Sequence, residues 1–161
     1  MPRYAYIMAL SLAFCLGLSG CGFFGSSGKA SLEAPPNATG VVKIACSQMG
    51  KKYCPGGASP RNGFDCSGLV WWSYKQRGVN IPRITTDQAK AGKKVSRKEA
   101  KPGDIMVFKV SRSPRGLHTG IYAGDGKFVH SPSSGKFVCV ENLKPWWNER
   151  LIAIRRVGEQ D

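Results

Sequence analysis

The sequence predicts an α+β domain, an antiparallel sheet with helices packed on one face. Apolar residues recur at helical spacing early in the chain, whereas after Pro102-Gly103-Asp104 they fall into short β-like runs. Helices first and strands later is the order of segregated layers, not of alternating βαβ units. The chain has 161 residues, 42% of them hydrophobic and 21% charged, which suits one domain with its own core rather than two. No internal repeat is visible, which excludes a solenoid or propeller, and the composition excludes fibrous and wholly disordered chains.

Val41, Ile44, Ala45 and Met49 predict a helix over residues 40–50. Residues 51–64, rich in Gly, Pro, Ser and Asn, read as a loop. A second helix opens at Asp65, a good N-cap residue, continues through Leu69, Val70, Trp72 and Ser73, and stops at Gly78. Thr85-Thr86-Asp87-Gln88 matches a capping box for a short helix ended by Gly92, and Ser96-Arg97-Lys98-Glu99 matches another for one turn. The strand-like runs are 105–110, 119–123, 127–129, 136–140 and 151–157.

The N-terminus sets the compartment. Arg3 precedes the apolar run Ile7 to Leu18, the length of a signal h-region and too short for a confident membrane span. Leu18-Ser19-Gly20-Cys21 then resembles the lipobox of bacterial lipoproteins, in which the leader is cut before the cysteine and the cysteine carries the lipid. Residues 1–20 are therefore expected to be a signal peptide. Residues 21–38 follow as a lipidated Cys21 and a flexible tether, and residues 39–158 as the folded domain. The chain is strongly basic, with 24 Lys and Arg against 10 Asp and Glu, a net charge of +14. That balance points to an anionic partner, and export makes it a wall polymer or membrane surface rather than nucleic acid. Gly22 after the lipidated position fits outer-membrane sorting in a cell with two membranes. Lys93, Lys94, Arg97, Lys98 and Lys101 read as a solvated face that could steer the protein to such a polymer or to lipid headgroups.

Chemistry concentrates on few residues. Cys66 stands where the second helix begins, and free N–H groups and the helix dipole there favour a thiolate. Taken alone, such a residue is more often a buried structural cysteine. Histidines occur twice, at 118 and 130, both in the β half. A three-residue loop with Gly126 left-handed pairs Tyr122 with Phe128 and puts His118 and His130 on one sheet face, within side-chain reach. A two-residue Asp125-Gly126 turn puts them on opposite faces. A thiolate at a helix start, served by a histidine from a sheet and a second histidine that orients the first, is a nucleophilic relay. Read instead as a zinc site, Cys66, His118 and His130 have a spacing that matches no common zinc motif, so no metal or cofactor is expected. Cys46, Cys54 and Cys139 lie outside the cytosol, so a disulfide between two of them is open, with one thiol left over.

These motifs resemble the NlpC-type cell-wall peptidases of the papain-like superfamily. They are Asp65-Cys66-Ser67-Gly68, Pro102-Gly103-Asp104, His118-Thr119-Gly120-Ile121-Tyr122 and Phe128-Val129-His130-Ser131, in order over roughly residues 41–157. The resemblance implies a papain-like α+β fold, with the nucleophile-bearing helix packed on a five- to six-stranded antiparallel sheet. It implies Cys66 as nucleophile, His118 as base and His130 as the third polar residue. The expected reaction is hydrolysis of the D-γ-glutamyl–diaminopimelate bond of peptidoglycan stem peptides, by a monomer in the cell envelope. Tyr53, Asp65 and Ser67 match positions that contact substrate in the family; Pro55 stands where an aromatic residue is usual. Two rival readings share the fold: a catalytically idle wall-binding lipoprotein, and an amidase or acyltransferase acting on another acyl bond.

Overall fold

The computed structural model describes residues 34–35, 40–113, 116–133 and 136–158. The leader, Cys21 and most of the expected tether lie outside these residues. Helix α1 spans Gly40–Cys46 and turns out to Gly50. The predicted loop contains a small ribbon, β1 (Ala58–Ser59) against β2 (Gly63–Phe64). Helix α2 runs Cys66–Lys75, and α3 is a single turn, Thr85–Gln88. Then follow β3 (Lys93–Val95), a 3-10 turn at Arg97–Glu99, β4 (Ile105–Lys109), β5 (Leu117–Gly124), β6 (Lys127–His130) and β7 (Cys139–Asn142). Helix α4 (Pro145–Arg150) and β8 (Leu151–Arg156) end the domain. The six-stranded sheet has the order β3-β8-β4-β5-β6-β7, with every pairing antiparallel.

The fold class is the one expected, and strand alternation accounts for its two cores. Ile105, Val107, Ile121 and Val129 point to one face, where they pack with Val42, Leu69, Val70 and Tyr74 of α1 and α2. Met106, Phe108, Phe128 and Ile154 point to the other, under Trp147 of α4. Three of the missed elements, β1, β2 and β3, are two or three residues long, too short for a period to show. The fourth, α4, begins with Pro145 at its first turn, a favourable place for a residue that lacks an N–H.

Local corrections follow from the hydrogen bonds. The Ser96–Glu99 capping box forms, with both reciprocal bonds present. The Thr85–Gln88 box does not: Ile84 is the N-cap, and the Gln88 side chain is drawn fully inside the protein. Strand β7 starts at Cys139 rather than residue 136, because Lys52 bridges to Phe137 and the Lys51 carbonyl accepts from the Val138 N–H. In the β5–β6 hairpin Gly124 pairs with Lys127, so the tip is the two-residue turn Asp125-Gly126, with φ of 50° and 66°. Tyr122 nevertheless pairs with Phe128, because a bulge between Tyr122 and Gly124 takes up one extra residue. The bulge restores the parity that a plain two-residue turn would have lost.

The segment entering β4 is pinned by a buried ion pair. Asp104 is fully buried, and its carboxylate accepts from Arg156 Nε at 2.7 Å, Arg156 Nη2 at 2.6 Å and the Lys101 N–H at 2.8 Å. The Tyr74 hydroxyl donates to the Gly103 carbonyl at 2.6 Å, tying α2 to the same turn. Arg156→Met would leave that carboxylate buried without its cation. The expected loss is about 3 kcal/mol, roughly 10 °C in Tm, read by thermal denaturation. A variant melting within a degree or two of wild type would show that the pair is structurally dispensable.

Candidate functional site

Cys66 is the first residue of α2, and Asp65 caps it: Asp65 Oδ1 accepts from the Gly68 N–H at 2.6 Å. Burial pushes the Cys66 thiol above its usual value, while the N–H groups of Thr119, Ser67 and Cys66 itself aim at the sulfur and pull it down. Burial wins, which corrects the sequence expectation of a lowered thiol: the sulfur rests as a neutral S–H in a cradle of three amides. The Thr119 amide is informative because it belongs to β5, next to His118. It places the sulfur against the strand that carries the histidine.

His118 and His130 share one face, as the register requires. His118 Nε2 and His130 Nδ1 are 2.8 Å apart, with the rings perpendicular. Both rings are buried, at 5% and 0% exposure. Burial, with a smaller push from His130, drives His118 down to about 3, so the ring is neutral at physiological pH. Burial also lowers His130, against the opposing pull of Glu141. Phe108, Phe128 and Trp147 pack around the pair. With Nε2 engaged by His130, Nδ1 is the nitrogen His118 has left for chemistry.

The three residues expected to contact substrate lie beside the sulfur. Burial raises the Tyr53 phenol, and the proximity of Cys66 and Asp65 raises it further, so Tyr53 lies beside the cysteine. Asp65 is engaged by more than its cap. Its carboxylate accepts from Arg83 Nη1 at 3.0 Å and Nη2 at 2.9 Å, and from the Gly56 N–H at 3.0 Å. Arg83 Nη1 also donates to Ser67 Oγ at 3.0 Å, and Nη2 to the Gly57 carbonyl at 3.1 Å. Arg83 thus ties Asp65, Ser67 and the glycine loop into one wall. Cys46, Cys54 and Cys139 are all free thiols.

Sequence reasoning missed Arg83, Gln88, Glu141 and Trp147. Gln88 Nε2 donates to the Ser67 and Pro82 carbonyls, each at 3.0 Å, and Gln88 Oε1 accepts from Thr119 Oγ1 at 2.9 Å. Glu141 Oε2 lies 3.0 Å from His130 Nε2. The signal for Glu141 was strand alternation: Cys139 pairs with His130 and Glu141 with Phe128, so Glu141 is a same-face diagonal neighbour of His130. Beside His118 opens a groove of ≈ 390 Å³, lined by Val110, Pro132, Lys136, Glu141, Trp146 and Trp147 among others.

The chain is similar to known proteins. The NlpC/P60 family matches residues 50–156, more than half of the chain and everything from the end of α1 to the end of β8. The bifunctional muramidase/DL-endopeptidase CwlT of Bacillus subtilis is 39% identical over 119 residues, 73% of this chain and 36% of the relative. The murein DD-endopeptidase MepH of Escherichia coli is 38% identical over 114 residues, 68% of this chain and 42% of the relative. The chain thus spans well under half the length of these two relatives. Among solved structures, the peptidoglycan hydrolase RipB of Mycobacterium tuberculosis aligns with a TM-score of 0.64 at 33% identity, covering 75% of this chain and 64% of that one.

Neutral burial of His118 has a pH signature. Unfolding returns the ring to its ordinary pKa near 6.5, so below that value the unfolded state binds a proton that the folded state does not. The stability held by the buried neutral ring is complete above pH 6.5 and is lost as pH falls toward 3. Thermal melts between pH 7 and pH 5, above the carboxylate range, should show Tm falling in wild type and a flatter dependence in His118→Gln. Equal slopes would contradict the neutral burial.

Proposed function

Because the chain belongs to the NlpC/P60 family, we propose that it is a cysteine-type peptidase acting on peptidoglycan, cutting the D-γ-glutamyl–diaminopimelate bond of stem peptides. The observation that carries this reading is the convergence of the Cys66 sulfur, at the start of α2, on the Thr119 amide of the strand that bears the His118–His130 pair. Cys66 is the nucleophile, His118 the base and His130 the residue that orients it. Tyr53, Asp65 and Ser67 form the wall against the acyl part of the substrate. The relatives' names, a DL-endopeptidase and a DD-endopeptidase, support a peptidoglycan substrate and differ in the bond.

Chemically this is acyl transfer between neutral partners. As the sulfur attacks the carbonyl carbon, its proton passes to His118 Nδ1. The Cys66 backbone N–H, at the positive end of α2, is the natural donor to the oxygen that becomes negative, once the attacking sulfur gives it up. His118 then gives the proton to the leaving amine, and the acyl group remains as a thioester on Cys66. Water enters, loses a proton to His118 and attacks the thioester. The acid departs and the proton returns to the thiol.

The same reading places the protein in the cell envelope. Residues 1–20 are a leader, Cys21 carries lipid, residues 21–38 are a tether, and residues 39–158 are the catalytic domain. The basic surface then meets anionic wall polymer or headgroups.

Cys66→Ala should abolish release of fragments from purified muropeptides, followed by mass spectrometry, while shifting Tm by no more than a few degrees. The masses identify the bond, and wild-type cleavage by the variant would remove Cys66 as nucleophile. Cys21→Ala should move the protein from the membrane fraction to the soluble fraction with the domain still folded. Full retention with membranes and continued lipid labelling would refute the anchor.

A further inference from the structure

We propose that Glu141 is a positioning residue of this site: it fixes the tautomers of both histidines and so leaves His118 Nδ1 as the bare, basic nitrogen. The proposal rests on the reading of His118 as base and deepens it.

Proton counting carries it. An ionised carboxylate only accepts hydrogen bonds, so at 3.0 Å the His130 Nε2 must hold a proton and donate to Glu141 Oε2. Both rings are buried and neutral, and a neutral imidazole has one N–H. His130 Nδ1 is therefore bare and can only accept. His118 Nε2, 2.8 Å away, must then be the donor, which places the one proton of His118 on Nε2. Nδ1 keeps a lone pair. Without Glu141 nothing among the described residues forbids the reverse chain, in which His130 Nδ1–H donates to His118 Nε2. His118 would then carry its proton on Nδ1, where it could not act as base.

Glu141 is itself held. Trp147 hydrogen-bonds to its carboxylate, and the Trp147 ring lies 5.3 Å from each histidine ring. Among the described residues, the charged group that faces both His130 and Glu141 from outside the chain of bonds is Lys136. Cys139, opposite His130 on β7, is pushed up to about 11 by burial and stays neutral. When the Cys66 proton arrives at His118 Nδ1, the new positive charge sits two hydrogen bonds from the Glu141 carboxylate. No further proton needs to move: His118 Nε2–H still donates to His130, and His130 Nε2–H to Glu141.

Histidine occurs only twice in the chain, so a ¹⁵N-histidine spectrum of the full chain contains two ring systems. At pH 7.5 both should show the Nε2–H tautomer. Glu141→Gln keeps an acceptor oxygen and loses the charge. Its amide can donate as well as accept, so the variant should weaken the tautomer preference, lower kcat on muropeptides by roughly 100-fold with KM unchanged, and move the acid limb of kcat/KM to lower pH, since the imidazolium loses its counter-charge. Glu141→Leu should also lose the tautomer preference. A wild-type spectrum with the proton on His118 Nδ1 overturns the proposal. So does a folded Glu141→Gln with wild-type kcat and acid limb. If Glu141→Leu does not fold, the wild-type spectrum and Glu141→Gln decide between them. The spectra need no turnover, so a wild-type protein that leaves muropeptides intact would refute the proposed function while the tautomers still test this inference.

Discussion

Gln88 joins the helix that carries the sulfur to the strand that carries the imidazole. Its amide nitrogen donates to the carbonyl of Ser67, next to Cys66, and its amide oxygen accepts from the hydroxyl of Thr119, next to His118. A third bond to the Pro82 carbonyl fixes the amide's orientation. Each such bond contributes a net ~1 kcal/mol, but leaving one unmade in a water-free interior costs more. One buried side chain thus ties the residue after Cys66 to the residue after His118, the two groups proposed to react, across the whole stretch of chain between them. Reactions of this kind lose rate steeply with displacements of an ångström, so this spacer conditions everything else in the site.

The site is electrically quiet in a protein that is not. The surface carries the large positive excess, and the buried charges are paired: Asp104 with Arg156, and Asp65 with Arg83. At the sulfur and the two imidazoles, by contrast, burial holds every group neutral. Three amides around the sulfur and one carboxylate behind the histidines are the polar counterweights. They would favour the charged pair that the proposed proton transfer forms, without being strong enough to form it beforehand. A resting thiol of this kind is also less exposed to oxidation than a standing thiolate.

What was legible in the chain was what depends on local pattern. Asp65 as a cap, Ser96 with Glu99, and the alternation in β4, β5 and β6 all rest on neighbours within a few residues. His118 and His130 stood out because histidine occurs only twice in the sequence, and Cys66, one of six cysteines, because it stands where α2 begins. Gln88 was misread for the same local reason: Thr-x-x-Gln matches a capping box, but three buried polar partners outbid the helix terminus for its amide. Glu141 was hidden because its partner lies on another strand, and β7 starts three residues later than the apolar run implied. The sign of the thiol shift needed burial, which no motif records.

The bulge at Ala123 has a consequence for how this hairpin can change. Side chains alternate across a strand, so the face on which His130 emerges depends on whether the count of residues between Tyr122 and Phe128 is odd or even. A single-residue insertion or deletion that shifted the pairing would carry His130 through the sheet to the helix side, away from His118 and Glu141. Changes of two residues would leave it in place. The tip of the hairpin is solvent-exposed at Asp125 and Gly126 and looks free to drift in length. A change there is harmless to the pair only where a bulge or the turn absorbs it, as the bulge at Ala123 does, or where it preserves parity.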